Sequence, residues 1–593
     1  MPQFLLRCLL VAFPWVACAA SGPVDWFRSD VEAFARAREQ HRPVLLYLEA
    51  VWCHWCHVMD HETYADPLVA EEIRTHYVAL RIDQDARPDL ANRYRDYGWP
   101  ATVVFAADGS EIVKRQGYLP KDRFLRLLHA IDADPTPESD GRSGHADAAP
   151  AGESSVLDSS TRAELERRYA TTYDRALGGL AIAQKFLDRD SVELAMARAA
   201  TGSASDATQA RQTLDAAQAL IDPVWGGVYQ YSTMGDWKHP HYEKLATIQA
   251  EYLRIYALAW SAFHRDSDRA VVTAIRRYLN TFMAAPSGAW RVSQDADAQP
   301  GVHAADYFAL DDTARRTRGV PRVDAHQYAQ QTGQIAEALA TWAEMAGDAS
   351  AAQQALRSVT WALRERALPG GGFRHDAHDG AGPYLADNLA MARAFLALYR
   401  ATADRTWLRH AVNVTDFIEK HFRRGDGYAS AGDGGPIAAV AQIDENLSLA
   451  RHANLLARYT GNLAHRAIAD HALHWLAKPS IALSRLTEAG LLLADQEART
   501  DPLHLAVVGA KSDSVAQMLF STSQQQQGWY KRVEWWDRDE GELPNPDVAY
   551  PKLKAPAAYV CTDRRCSLPL RTANELQEFL RPQDPHDASN GGP

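Results

Sequence analysis

The chain has 593 residues, 46% of them hydrophobic and 23% charged, which is the composition of a globular protein with room for two or three domains. Its 63 basic and 75 acidic side chains give a formal net charge of -12, and this excess of acid disfavours nucleic-acid binding, which needs a basic face. Beyond the N-terminal segment no apolar run reaches the ~18 residues that a membrane-spanning helix needs, so no transmembrane segment is expected.

Residues 1–20 predict a secretory signal peptide. They carry a single charge, Arg7, followed by an apolar run and by the small residues that precede a cleavage site near Ala20. The protein is therefore expected to be exported, most simply to a bacterial periplasm. Attachment of a lipid to Cys18 is the weaker alternative, because Trp15 stands where a small aliphatic residue is wanted.

The first predicted element of the exported chain is an apolar strand that runs into a Cys-x-x-Cys motif. Residues 44–48 read as a buried strand, and Cys53 and Cys56 lie where that strand gives way to a helix. A thiol at a helix N-terminus faces free N–H groups and the positive end of the helix dipole, which lower its pKa. The motif therefore predicts Cys53 as a nucleophile and Cys56 as the resolving thiol.

The elements that follow have the order of a thioredoxin fold. A second strand, a Trp99-Pro100 step, a strand hairpin and a closing helix are predicted at residues 77–83, 99–100, 103–115 and 121–131. In thioredoxin this proline is cis and faces the cysteine pair, although X–Pro bonds are cis in only about 5–6% of cases. We therefore predict a thioredoxin-like domain over residues 24–134, with a cis Trp99–Pro100 bond beside Cys53. The expected neighbours of the redox site are His54, Trp55, Trp99 and Pro100.

Four cysteines remain after removal of the signal peptide, and they form two close pairs. In an oxidising compartment Cys53/Cys56 and Cys561/Cys566 read as two disulfides, the first redox-active and the second either structural or a relay to the first. A zinc site made of Cys53, Cys56 and His57, or of all four thiols, is the competing interpretation. An inert structural disulfide at Cys53/Cys56 is a third. The preferred interpretation includes no metal and no cofactor.

The rest of the chain divides by composition and period. Residues 135–157 are rich in Pro, Gly, Ser and Asp and predict a flexible linker. Residues 158–500 contain about twelve stretches of helical period, and a glycine-aromatic element recurs roughly every 50 to 80 residues. Six helical hairpins predict a closed (α/α)6 toroid with tight glycine loops at one mouth, and an open helical solenoid is the alternative. Residues 501–582 predict a small α/β appendage, and residues 583–593 a disordered tail.

Several short motifs resemble those of the spermatogenesis-associated-protein-20-like family: Cys53 to Met59, Arg81 to Pro88, Gly98 to Pro100, and the late pair Cys561 and Cys566. The resemblance implies a thioredoxin-like domain followed by a six-hairpin toroid similar to sugar epimerases and glycosidases. It extends over nearly the whole chain after the signal peptide and is most specific over residues 43–113. The chain departs from the family pattern at Gln331-Thr332-Gly333, where relatives carry Trp-Asn-Gly at the start of a toroid helix.

A second group of polar side chains predicts a ligand site in the toroid. Its members are Trp237, His239, His241, Glu243, Asp295 and Asp297. Histidine and carboxylate pairs can move protons at a sugar carbon or a glycosidic oxygen. The same residues also suit a purely structural role in shaping the mouth of the ring.

The patterns together favour an exported thiol–disulfide oxidoreductase that acts on thiols and disulfides of partner proteins, joined to a toroid that binds a partner or a glycan. One alternative is a carbohydrate isomerase, epimerase or hydrolase in the toroid, with the thioredoxin-like unit as an accessory. Another is a non-catalytic scaffold in which both domains only bind.

Overall fold

The computed structural model describes residues 24–138, 157–298 and 304–581, apart from residues 433, 529, 552, 563 and 564. The predicted signal peptide, with Cys18, lies outside the described residues, as do most of the predicted linker and the predicted tail. Among the described helices, none is long and apolar enough to cross a membrane.

The N-terminal region is a mixed four-stranded sheet with helices on both faces. Its elements are α1 (Asp30–Gln40), β1 (Val44–Glu49), α2 (His54–Met59), α3 (Pro67–His76), β2 (Val78–Asp83), α4 (Pro88–Tyr94), β3 (Ala101–Phe105), β4 (Glu111–Gln116) and α5 (Lys121–Ala133). The strand order is β2-β1-β3-β4, with β1 parallel to β2 and antiparallel to β3. Because successive side chains of β1 enter the cores on opposite faces of the sheet, the strand is buried along its whole length. This is the predicted thioredoxin-like fold.

The central region is a closed ring of helical hairpins. Its main helices are α6 (Ser159–Thr172), α7 (Arg189–Ala200), α8 (Ala204–Ala217), α9 (Ala246–Phe263), α10 (Asp266–Tyr278), α13 (Ala329–Ala346), α14 (Ala349–Glu365), α15 (Leu385–Thr402), α16 (Arg405–Phe422), α17 (Ile443–Thr460), α18 (Leu463–Leu476) and α20 (Ala489–Arg499). The connecting segments hold β5 (Tyr231–Ser232), β6 (Pro240–His241), β7 (Lys244–Leu245), β8 (Ser293–Gln294), α11 (Ala305–Phe308), α12 (Asp312–Arg318), β9 (Val323–Asp324) and α19 (Pro479–Ala482).

Six of these helices form the inner wall of the ring: α7, α9, α13, α15, α17 and α20. Each packs against the next, and α20 packs against α7, so that the ring closes. An open solenoid would lack this last contact. The (α/α)6 toroid is therefore confirmed and the solenoid alternative is wrong.

The recurrent glycine elements form tight loops between an outer helix and the next inner helix. At Gly226 and Gly227 the backbone has φ of 75° and 76°, a region that favours glycine. A Cβ on Gly226 would overlap the carbonyl of Ala274, and one on Gly227 would lie 2.5 Å from the Tyr278 ring. Glycine is therefore required here both by conformation and by the close approach of the outer helix.

A polar side chain in the first turn of the inner helix holds each of four such loops. Asn388 accepts a hydrogen bond from the backbone N–H of Phe373 at 2.8 Å, and Asn446 accepts one from Tyr428 at 2.8 Å. Gln249 does the same for Val228, and Thr332 accepts from Trp290 at 3.4 Å. Thr332, which stands where the family motif has asparagine, therefore holds the loop that contains Trp290.

The C-terminal region has the same sheet topology as the N-terminal one. Its elements are β10 (Leu503–Val508), α21 (Ser514–Gln524), β11 (Lys531–Trp536), β12 (Ala557–Thr562), β13 (Arg565–Cys566) and α22 (Ala573–Leu580). The strand order is β11-β10-β12-β13, with β10 parallel to β11 and antiparallel to β12. Pro556 precedes β12 as Pro100 precedes β3, and Asp513 caps α21 where Cys53 caps α2. The predicted α/β appendage is thus a second thioredoxin-like sheet with no cysteine at the cap.

The two sheet regions cover opposite mouths of the ring. On one side Asn92 of α4 donates to Glu445 at the start of α17, at 3.0 Å. On the other side Gln524 of α21 donates to the carbonyl of Arg400 near the end of α15, at 2.8 Å. The inner helix α15 has 18 residues and is therefore about 27 Å long, which separates the two covering domains.

Candidate functional site at the domain interface

The Cys53–Cys56 pair is a disulfide at the start of α2, in the core against which Trp99 packs. Cys53 is the N-cap of the helix, and its sulfur accepts a hydrogen bond from the backbone N–H of Cys56 at 3.1 Å. The hydroxyl of Tyr47 donates to the carbonyl of Cys56 at 3.0 Å. The Trp99–Pro100 bond is cis, as predicted. A reduced Cys53 would keep these helix N–H groups beside it, and they favour the thiolate.

The toroid covers this disulfide. Cys53 is only 3% exposed and Cys56 is fully buried, although the neighbouring Trp55 is 45% exposed. Leu245 of β7 packs against the core that contains both cysteines. Thiol exchange requires contact between sulfur atoms, so a folded partner protein can reach Cys53 only if the interface opens.

A cluster of buried ionisable residues joins α2 to the toroid. His54 Nδ1 lies 2.9 Å from Asp297 Oδ2. His57 Nδ1 lies 3.7 Å from the same oxygen, and His57 Nε2 lies 3.9 Å from Asp295 Oδ2. Hydrogen bonding to Asp297 is the main cause that raises the pKa of His54, and Asp297 is also the main cause of the raised pKa of His57. We call His54, His57, Glu243, Asp295 and Asp297 the interface cluster.

The two other carboxylates of the interface cluster are unusually basic. Burial raises the pKa of Glu243 to about 7, and the charges of Asp295 and Asp297 add to the shift. Burial also raises the pKa of Asp295 to about 6. The Glu243 Oε2 atom is buried without a hydrogen-bond partner among the described residues. These groups therefore change protonation near neutral pH, next to the cysteine pair.

The structure divides the toroid residues that the sequence grouped together. Glu243, Asp295 and Asp297 lie in the interface cluster, and His241 Nδ1 lies at its edge, 3.9 Å from Glu243 Oε2. The other two lie apart from it and make structural contacts. The indole of Trp237 donates to the carbonyl of Leu177 at 2.9 Å, and His239 pairs with Asp236 at 2.9 Å. Of the histidines of α2 that complete the cluster, His54 was predicted as a neighbour of the cysteines and His57 only as a ligand in the alternative zinc site.

A chamber of about 410 Å³ lies between the thioredoxin-like domain and the inner helices. Trp52 and Trp99 form part of its wall on the thioredoxin side. On the toroid side Gln331 Oε1 and Glu445 Oε2 are buried without hydrogen-bond partners among the described residues. Burial raises the pKa of Glu445 to about 8. His241, Glu243, Asp295 and Asp297 do not line this chamber.

Charged residues of the inner helices close the bottom of the chamber. We call this set the charged belt: Glu193, Arg254, Glu337, Arg393, Arg451 and Glu497. Arg254 and Arg451 both bind Glu193, at 2.7 and 2.6 Å, and Arg393 binds Glu337 at 2.7 Å. Four belt residues line both the chamber and a second cavity of about 80 Å³ beyond it.

Sequence reasoning missed the charged belt, although a signal was present. In α9, α13, α15, α17 and α20 the belt residue is the ninth residue of the helix, and in α7 it is the fifth. A charge at the same position in five helices of the ring indicates that these charges meet at one level.

The second disulfide is local. Cys561 and Cys566 are register partners on the antiparallel strands β12 and β13 and are joined by a disulfide. Their sheet lies at the mouth of the ring opposite to Cys53 and Cys56. Because thiol exchange requires contact, this arrangement excludes a direct relay between the two pairs. A zinc site made of these thiols is likewise incompatible with the disulfide-bonded form seen here.

Fold and site together define a class of protein: a thioredoxin-like domain with a Cys-x-x-Cys disulfide, docked on a helical toroid. Residues 10–133 match the family described as "Thioredox_DsbH: Protein of unknown function, DUF255". The chain is similar to human spermatogenesis-associated protein 20, with 26% identity over 332 residues that cover 48% of this chain and 41% of the relative. The predicted resemblance to the spermatogenesis-associated-protein-20-like family is thereby confirmed. The match spans only about two fifths of the length of these curated relatives.

Two further similarities concern the separate domains. The chain is 37% identical over 83 residues to thiol:disulfide interchange protein DsbD 1 of Pseudomonas aeruginosa, which covers 13% of this chain and 14% of that protein. A crystal structure of a sugar epimerase from a ruminal bacterium aligns with a TM-score of 0.41 and 11% identity, covering 53% of this chain and 86% of that one.

Proposed function

We propose that the protein is a thiol–disulfide oxidoreductase that uses the Cys53–Cys56 pair. The observation that carries the proposal is the disulfide at the capped start of α2, in the core against which Trp99 of the cis Trp99–Pro100 bond packs. The match of this domain to the Thioredox_DsbH family supports it, as does the similarity to a thiol:disulfide interchange protein.

The proposed reaction moves two electrons through two exchange steps. In the reducing direction the Cys53 thiolate attacks a disulfide of the substrate, forms a mixed disulfide and releases one substrate thiolate. Cys56, as its thiolate, then attacks Cys53, restores the Cys53–Cys56 disulfide and releases the second substrate thiolate. The substrate is reduced and the protein is oxidised. The reverse sequence oxidises a substrate dithiol.

A trapping experiment tests this proposal. In Cys56→Ser the mixed disulfide on Cys53 cannot be resolved, so incubation with oxidised glutathione should give one glutathione per chain at Cys53 by mass spectrometry. Cys53→Ser should give none at Cys56, which is fully buried. Wild type should return to its intramolecular disulfide. Absence of an adduct on Cys56→Ser, under conditions that unfold no part of the protein, would contradict the proposal.

A second candidate function is the binding of a polyhydroxylated ligand, such as a sugar, in the chamber. The buried acceptors Gln331 Oε1 and Glu445 Oε2 suit ligand hydroxyls, and the indoles of Trp52 and Trp99 offer apolar faces. Calorimetric titration with glucose, mannose and N-acetylglucosamine tests it. Binding should weaken at least tenfold in Gln331→Leu and stay unchanged in Gln577→Leu, an exposed site on α22. Equal binding by both variants would contradict a site in the chamber.

The alternative of a carbohydrate isomerase, epimerase or hydrolase gains less support. The residues predicted for it, His241, Glu243, Asp295 and Asp297, do not line the chamber. Among the described residues of the chamber wall, Glu445 is a buried carboxyl whose pKa of about 8 suits a proton carrier. A chamber without chemistry, as in the scaffold alternative, remains compatible with ligand binding.

An exported location is part of the proposal and follows from the N-terminal segment of the sequence. Expression of the full chain with fractionation of a bacterial host tests it. The processed chain should be recovered with periplasmic markers. Recovery of the unprocessed chain in the cytoplasm would contradict export.

A further inference from the structure

We propose that His57, Asp295 and Asp297, with Glu243 beside them, bind a divalent transition-metal ion at the interface between α2 and the toroid. The site joins the two domains one helical turn from the cysteine pair. It goes beyond the oxidoreductase function and does not depend on it.

The hydrogen bonding of His57 leaves one ring nitrogen beside Asp297, while the other lies 3.9 Å from Asp295 Oδ2. Its Nε2 lies 3.2 Å from the carbonyl oxygen of Val51, which can only accept, so Nε2 carries the proton. In the neutral ring Nδ1 then holds a lone pair. It is buried, has no hydrogen-bond partner among the described residues and lies 3.7 Å from Asp297 Oδ2, too far for a hydrogen bond. Metal-binding histidines commonly donate their second N–H to a backbone carbonyl in this way.

The two aspartates are placed together by the backbone that follows β8. The N–H of Asp297 donates to Asp295 Oδ1 at 2.9 Å, which brings both carboxylates to the side facing His57. One donor atom from each of His57, Asp295 and Asp297 lies within 4.8 Å of the other two. Both aspartates are more than nine-tenths buried. Three ligand atoms therefore surround a space of the size of one ion.

Glu243 provides independent evidence that this site requires a positive charge. Its side chain is 3% exposed and its Oε2 has no hydrogen-bond partner among the described residues. The charges of Asp295 and Asp297 both act on it. A buried carboxylate beside two others is costly unless a positive charge compensates. The two histidines offer at most two positive charges to three carboxylates, whereas a divalent ion together with a protonated His54 would supply three.

The ligand set indicates the kind of ion. One imidazole with two or three carboxylates suits Mn²⁺, Fe²⁺ or Zn²⁺, whereas Mg²⁺ and Ca²⁺ prefer oxygen ligands alone. Protons compete with the ion for the imidazole and carboxylate ligands, so affinity should rise with pH. Because His57 lies on α2 and the aspartates on the toroid, the ion would hold the interface closed.

The test is metal titration of the chelator-treated, full-length protein with its disulfides oxidised. Calorimetry with Zn²⁺ and Mn²⁺ should show one equivalent bound. Binding should weaken at least tenfold in His57→Gln and in Asp297→Asn and be unchanged in His239→Ala, a histidine that pairs with Asp236 outside the cluster. It should also persist in Cys53→Ser/Cys56→Ser, which has no thiol at the interface.

Co²⁺ bound to the wild type gives a second readout that needs no variant. Nitrogen and oxygen ligands should produce visible bands without thiolate-to-cobalt charge transfer. A charge-transfer band, or loss of binding in the double cysteine variant, would assign the ion to the thiols and overturn the proposal. Failure of Zn²⁺ and Mn²⁺ to bind, or equal binding by the His57 and His239 variants, would also overturn it.

Discussion

Two residues of the interface cluster, Glu243 and His54, both make the fold less stable as the pH rises. The pKa of Glu243 rises from 4.5 to about 7 in the folded protein, so its burial costs nothing below pH 4.5 and destabilises the fold progressively as pH rises through 7. The pKa of His54 is raised above 6.5, so its stabilising pair with Asp297 is present below pH 6.5 and is lost as pH rises through the folded pKa. Both effects make the metal-free interface weaker at pH 8 than at pH 5.5.

Glu243→Gln should remove most of this pH dependence. A pKa shift of this size corresponds to a penalty on the order of 3 kcal/mol above pH 7, which an uncharged amide avoids. The melting temperature of chelator-treated protein should therefore be higher in Glu243→Gln than in wild type, by a larger margin at pH 8.5 than at pH 5.5. The groups that face Glu243 are His54, His241, Asp295 and Asp297, and they stay in place.

The exposed substitution Glu578→Gln is the control and should follow the wild type at both pH values. A wild-type melting temperature that does not fall between pH 5.5 and 8.5, or a Glu243 variant that falls equally, would show that the buried carboxyl does not control the interface.

At the scale of single residues, the sequence predicts features that depend on positions close together in the chain. Cys53, Cys56 and the cis bond at Pro100 follow from motifs that span a few residues each. The pairing of His54 with Asp297 joins positions 243 residues apart and depends on how two domains dock. No spacing rule predicts such a contact, and for this reason Asp295 and Asp297 were assigned to a ligand site in the toroid.

Among the helices, the charged belt is the feature with the largest energetic consequence. Glu193 is almost fully buried and receives Arg254 and Arg451, which hold its pKa well below its usual range. Removing one partner from a buried ion pair leaves the remaining charge buried without a counter-charge. This lowers the free energy of unfolding by about 3–5 kcal/mol. The belt therefore ties α7, α9 and α17 together at one level of the ring.

Glu193→Gln should lower the stability of the toroid by about 3–5 kcal/mol, because two buried guanidinium groups lose their counter-charge. Glu164→Gln removes a partly exposed carboxylate that pairs with Arg167 and Arg168 on one helix and should cost less than about 1 kcal/mol. Chemical unfolding followed by far-UV circular dichroism, which reports mainly on the helices of the ring, checks the difference. Equal effects of the two substitutions would mean that the belt does not stabilise the ring.

Helical periodicity predicts the hairpins well, because the apolar residues of each helix recur at the spacing of its buried face. The sequence predicts helical stretches at 325–346, 350–366, 384–402, 405–422, 442–459 and 463–477, and the observed bounds of α13 to α18 lie close to them. Periodicity does not reveal which helix packs on which across the ring, and α6 in fact pairs with α20 at the other end of the toroid sequence. Strand patterns in the C-terminal region predicted its elements, but the thioredoxin-like order β11-β10-β12-β13 depends on pairings that the sequence does not display.

In the whole molecule the ring separates two thioredoxin-like sheets, of which only the first has cysteines at the helix start. The disulfide of the second, Cys561–Cys566, lies on strands remote from the interface. The arrangement predicts that the two disulfides act independently.

Cys561→Ser/Cys566→Ser should therefore leave the reduction potential of the Cys53–Cys56 pair unchanged within about 10 mV, while lowering the stability of the C-terminal region. Equilibration with glutathione, followed by alkylation and mass spectrometry of the Cys53 and Cys56 peptides, measures the reduction potential. Chemical unfolding measures the stability. A shift of about 30 mV or more at Cys53–Cys56 would indicate communication between the two mouths of the ring.

The reduction potential of the wild-type Cys53–Cys56 pair tests the central claim most directly. Equilibration of the purified protein with glutathione mixtures should give a reversible two-electron transition between about -120 and -270 mV, the range of thiol-exchange proteins of this fold. A pair that cannot be reduced without unfolding the protein would be a structural disulfide. That result would contradict the oxidoreductase account and leave the chamber as the functional site.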